Sequence, residues 1–151
     1  MDDNRPSRVV IGVGNPYRRD DGIGPLVADA VAQELGTDAD VEFGLGDGDP
    51  TRLMTMWCGR AVAVVVDATV SGAPPGTLHV DVSAPPPGRA VSSHAGGITD
   101  AVALSRLLDR MPQRLVLIGV EAGDTDLGEG LTDEVMASVP AAVAAVREAL
   151  G

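Results

Sequence analysis

The stretch Ile11–Val31, IGVGNPYRRDDGIGPLVADAV, decides how the rest of the chain is read. An apolar run ends in glycine, a polar turn follows, and a helical pattern begins. Pro25 suits the first turn of that helix, and Val27, Ala30, Val31 and Leu35 form one apolar stripe. This is the strand–turn–helix opening of an α/β domain. It resembles a nucleotide-binding turn, but Asp20 and Asp21 stand where a phosphate would have to sit. Two carboxylates repel a phosphate at short range. The dinucleotide pattern G-x-G-x-x-G also fails, because Tyr17 occupies the third glycine position. No phosphate-binding G-x-x-x-x-G-K run exists, and the chain contains no lysine.

Working outward, Arg8–Gly14, Val41–Leu45, Ala61–Val66 and Arg114–Val120 read as strands. The first, third and last are continuous apolar runs, as expected of strands buried on both faces. Asp67 closes the third run. Thr77–Ser83 alternates apolar and polar residues, the pattern of an edge strand, and Ala84–Gly88 (APPPG) reads as a stiff connector. Helices are expected after the first turn, at Thr51–Cys58, at Ile98–Met111 and from an N-cap at Thr132 to Leu150, with a kink or restart at Pro140. Strands alternate with helices, so the expectation is one α/β domain over residues 1–151, helices covering both faces of a mostly parallel sheet.

Composition narrows the function. The formal net charge is −11, with 22 acidic residues against 11 basic ones, all arginine. A nucleic acid or an anionic membrane surface calls for the opposite balance. Residues 1–10 show no basic-then-apolar leader, and no apolar run reaches the roughly 20 residues of a membrane span. Cys58 is the single cysteine, so neither an internal disulfide nor a cysteine-based zinc cage is expected. The expected setting is the cytoplasm.

Functional groups of an open α/β sheet gather beyond the carboxyl ends of its strands. Asp21 follows the first strand, Asp67 the third, and His94 sits in SSHAGG (Ser92–Gly97), just before a helix. Taken singly, each has an ordinary structural reading: a charge at a helix start, a turn cap, a loop histidine. Together, two carboxylates and an imidazole are a donor set for a borderline divalent metal. His79, in the presumed edge strand, reads as structural. A serine–histidine–aspartate triad from Ser92 or Ser93, His94 and Asp67 lacks the G-x-S-x-G elbow.

Four segments in order carry a resemblance to a known family. GVGNPYRRDDGIG (Gly12–Gly24), VVVDAT (Val64–Thr69), SSHAGGITDAVAL (Ser92–Leu104) and LIGVEAGDTDLGEGLTDEV (Leu117–Val135) resemble the motifs of the hydrogenase maturation proteases. These endopeptidases trim the large subunit of nickel–iron hydrogenases. The resemblance implies a three-layer α/β/α fold with strand order 2-1-3-5-4, the fourth strand antiparallel at one edge. It also implies that Asp21, Asp67 and His94 are the metal-contacting and catalytic residues. The metal implied is nickel already inserted in the precursor, so the protease need hold no ion of its own. The implied partner is the large-subunit precursor, and the implied protease is a monomer. Gly14 and Asn15 then hold the loop's shape, and Asp20 either orders the loop or adds a carboxylate to the site. Two departures leave open which large subunit is cut: GLGDGDPTRL (Gly44–Leu53) replaces an aspartate–glycine–glycine–threonine run, and Ala122 replaces a proline. Two other readings of the same residues are a non-catalytic nickel-sensing chaperone and an unrelated hydrolase with its own bound ion.

Overall fold

The computed structural model describes residues 5–36, 40–82 and 95–151. Strands β1 (Arg8–Val13), β2 (Val41–Gly46), β3 (Val62–Thr69), β4 (Leu78–Val82) and β5 (Arg114–Glu121) form one sheet in the order β2-β1-β3-β5-β4. β4 is antiparallel to β5 and lies at the edge; the other pairings are parallel. Both the strand order and the edge position agree with expectation. The polar half of β4's alternation needs an edge, since a central strand would bury it on both faces.

Alternation along the strands sends side chains to two cores. Val10, Val64, Val66, Val116 and Ile118 pack with helices α1 (Ile23–Leu35) and α4 (Asp133–Leu150). Val9, Ile11, Ala63, Val65 and Leu117 pack with α2 (Pro50–Trp57) and α3 (Ala95–Leu107). The result is the three-layer arrangement. With so few aromatics, branched aliphatics fill both cores, and Trp57 is fully buried with its indole Nε1 donating to Ser105 Oγ at 2.9 Å.

The larger departures from the sequence reading lie in β3, α2, α3 and α4. β3 does not stop at Val66: Asp67, Ala68 and Thr69 continue to pair with Gly119, Val120 and Glu121. Asp67 is therefore a strand residue, because its neighbour strand extends equally far. α2 starts at Pro50, since the Asp49 carboxylate accepts from Thr51 N at 3.0 Å and caps it there. α3 begins at Ala95 and ends at Leu107, four residues short of Met111. Asp109, at φ 55, turns the chain away, and Leu108 is left exposed. α4 neither stops nor restarts at Pro140, which faces solvent inside one continuous helix. Helical geometry there loses only the bond Pro140 cannot donate to the Met136 carbonyl, which lies in an exposed stretch. Thr132 does sit at the N-cap of α4, but its hydroxyl is used elsewhere. The Ala84–Gly88 connector, Ser83, Ser92, Ser93 and His94 lie outside the described residues. Among the described residues no helix is long and apolar enough to cross a membrane.

Candidate active site

The turn after β1 is built by close backbone approach. A Cβ on Gly24 would overlap the carbonyl oxygens of Val13 and Val66. Only glycine lets the start of α1 press onto the ends of β1 and β3 together. Asp21 lies three residues before that contact and Asp67 one residue after Val66. The helix start thus brings the two acidic segments to one end of the sheet, at the gap between β1 and β3. Gly14 has φ 143, and a Cβ there would collide with the Asp21 carbonyl oxygen. Asn15 completes the turn: its Oδ1 accepts from Tyr17 N at 2.9 Å, and its N donates to Asp21 Oδ2 at 2.9 Å. These bonds explain the Gly-Asn pair of the opening motif.

Both candidate carboxylates are buried, Asp21 at 3% exposure and Asp67 at 5%. Asp67 Oδ1 accepts from Ala68 N at 2.8 Å, which fixes its rotamer. Alternation along β3 puts Asp67 with Ala63 and Val65 on the α2/α3 side of the sheet. The N-terminal turn of α3 reaches this same end: a Cβ on Gly97 would overlap Gly48 O, just beyond β2. His94 precedes α3 in sequence and lies outside the described residues. Among the described residues no group of three or more His, Cys, Asp or Glu side chains is arranged to hold a metal ion. Asp21 and Asp67 supply two hard oxygen donors, which suit a divalent cation of the first transition row once a nitrogen donor joins them.

Asp20 has a different role from its neighbour. Its carboxylate is completely buried and accepts from Gly123 N at 2.8 Å, Asp124 N at 2.9 Å and Thr132 N at 2.7 Å. Thr132 Oγ1 donates to it as well, at 2.9 Å. Asp20 therefore orders the loop, fastening the first turn to the segment that leads into α4. A backbone bridge extends the fastening, with Gly128 N donating to Tyr17 O and Arg19 N donating to Gly128 O.

Glu121, at the end of β5, is a fourth buried carboxylate, one that sequence reading left without a role. Its Oε1 accepts from Ser71 Oγ at 2.6 Å and meets His79 Nε2 at 3.1 Å, while its Oε2 accepts from Ser71 N at 2.7 Å. His79 does prove to be a partner of this carboxylate. Serine, glutamate and histidine are the residue types of a hydrolase triad, but here the carboxylate stands between the other two, so His79 cannot take the Ser71 proton. A signal for Glu121 was present: an acid closing a buried strand, as in VVVDAT. Burial pushes the Glu121 carboxyl up, but the two bonds from Ser71 and the contact with His79 hold it below its ordinary value of 4.5. A lowered folded-state value means stability present above pH 4.5 and lost as pH falls through the folded value. Glu121→Gln should therefore unfold with a flatter dependence on pH below about 4.5 than the parent, measured by thermal melts across the acid range.

Comparison with known proteins places the chain in a family. A family model described as hydrogenase maturation protease matches residues 42–149. The hydrogenase expression/formation protein HupD of Rhodobacter capsulatus is 31% identical, over 95% of this chain and 72% of its own length. The chain belongs to the hydrogenase maturation protease family. It is accordingly a peptidase, and it is also 29% identical to the hydrogenase 2 maturation protease of Escherichia coli, over 94% of this chain and 89% of that one. Among solved structures, the hydrogenase maturating endopeptidase HybD from E. coli superposes with a TM-score of 0.80 at 27% identity, covering 95% of this chain and 91% of that chain. The matched model span contains Asp67 and His94 but starts after Asp21, whereas the structural match extends over nearly the whole chain.

Proposed function

We propose that this protease removes the C-terminal extension of a nickel-loaded nickel–iron hydrogenase large-subunit precursor, and that it recognises the nickel with Asp21, Asp67 and His94. The observation that carries this reading is the seating of Gly24 on Val13 and Val66, which draws the Asp21 loop to the strand end that bears Asp67. The metal is then part of the substrate. Nickel buried in a precursor has few coordination positions left, and a borderline imidazole nitrogen with two carboxylate oxygens suits it. The chain's own residues bind and orient: Asn15 N and Ala68 N hold the two carboxylates in place before the precursor arrives. Such pre-positioning lowers the cost of forming the complex. The protein acts in this reading as a cytoplasmic monomer.

The test is a mobility shift of the large subunit with nickel-loaded and nickel-free precursor. Loaded precursor should be shortened in a single turnover, and nickel-free precursor should stay uncut. Equal cutting of both forms would exclude nickel recognition. Binding without cutting would leave a chaperone in place of a protease.

A further inference from the structure

We propose that Tyr17 and Leu127 form an apolar seat for the precursor's polypeptide beside the cleavage site, with Arg18 pairing a carboxylate of the same segment. The proposal rests on the processing role above. Tyr17 is 64% exposed and Leu127 75% exposed, and both lie on loops at the carboxyl end of the sheet. The parallel bridge between Arg18 and Gly128 sets their backbones side by side, with Gly128 N to Tyr17 O at 2.8 Å and Arg19 N to Gly128 O at 3.0 Å. Exposed leucines on mobile loops carry little meaning, but these loops are fastened. Asp20, with no exposure, binds Gly123, Asp124 and Thr132 directly beneath them.

Burying a charge to rigidify two loops, and then giving each loop an exposed large apolar side chain, makes a preorganised binding surface. Tyrosine is a favoured anchor, since its ring buries much area for little lost entropy. This is the chain's only tyrosine, and Tyr17 stands four positions before Asp21. Arg18 adds charge complementarity. It is exposed and has no ion-pair partner among the described residues, in a chain of net charge −11. The fitting segment therefore carries an apolar side chain close to an acidic one or to a terminal carboxylate.

Steady-state processing of a nickel-loaded large-subunit precursor tests the seat. Tyr17→Ser and Leu127→Ser should each raise KM about tenfold and leave kcat within about twofold, the signature of lost uniform binding. Tyr17→Phe should keep a near-parental KM. Arg18→Gln should raise KM at low salt, with the difference fading as ionic strength rises. Leu107→Ser, at an 81% exposed position where α3 ends, should change neither constant. Unchanged KM in both serine variants overturns the seat while leaving the processing role intact. Tyr17→Phe behaving like Tyr17→Ser overturns its apolar character. A parental chain that cuts no loaded precursor overturns the processing role and the seat with it.

Discussion

Asp67→Asn is expected to leave the fold intact and to cut precursor processing by about a hundredfold or more. Asparagine keeps the shape, and its Oδ1 can still accept the bond from Ala68 N. Placement inside β3 at 5% exposure makes this isosteric choice important, because a smaller residue would open a hole on the face of the sheet that Asp67 occupies. What asparagine removes is the charge, and with it most of the attraction for a divalent cation. Changes to residues that merely orient a metal ligand cost about 10–100-fold, so loss of a donor itself should cost at least as much. The measurement is the rate of large-subunit shortening, paired with a melting curve. Processing of loaded precursor at the parental rate would remove Asp67 from the site even with the family assignment secure. The same loss is expected of His94→Ala, which deletes the nitrogen donor.

Asp20→Ala is expected to lower stability by about 3–4 kcal/mol, since several donors around a buried carboxylate lose their acceptor at once. For a chain of this size that corresponds to a melting temperature lower by roughly 10 °C. The orphaned groups are the amides of Gly123, Asp124 and Thr132 and the Thr132 hydroxyl, all spent on one side chain. Asp20→Asn should fall between the alanine variant and the parent, because the amide keeps one acceptor oxygen. Processing should suffer in the alanine variant even well below its melting temperature, since the Asp21 turn loses its anchor. A melting temperature within about 2 °C of the parent would show that water replaces the lost acceptor and that the fastening is weak.

The two acids of the opening motif have different partners, as the assignment of Asp20 to ordering the loop anticipated, though the sequence did not name those partners. Asp20 and Asp21 are adjacent and chemically identical. Their difference is set by partners: Asp20 faces Thr132, 112 positions away, and Asp21 faces Asn15, six positions away. Similarly, Glu121 closes an apolar run, but nothing in the sequence names His79 as its partner; β4 pairing with β5 puts the two in contact across 42 positions.

What the sequence determined by itself is the layering. Burial on both faces demands unbroken apolar runs, and three such runs marked β1, β3 and β5. Half-exposure demands alternation, and Thr77–Ser83 marked the edge. These are local, periodic signals, and each residue's own hydropathy carries them. Asp67 stood out as a candidate for the same reason, directly after such a run, and Asp21 stood out in the turn that follows the first run. Tertiary structure alone decided where β3 ends, which distant groups Asp20 holds, and that Gly24 brings the helix start down onto two strands. Those outcomes depend on backbone atoms and hydrogen-bond partners supplied by distant segments, and no residue announces a partner it meets only when the chain has folded.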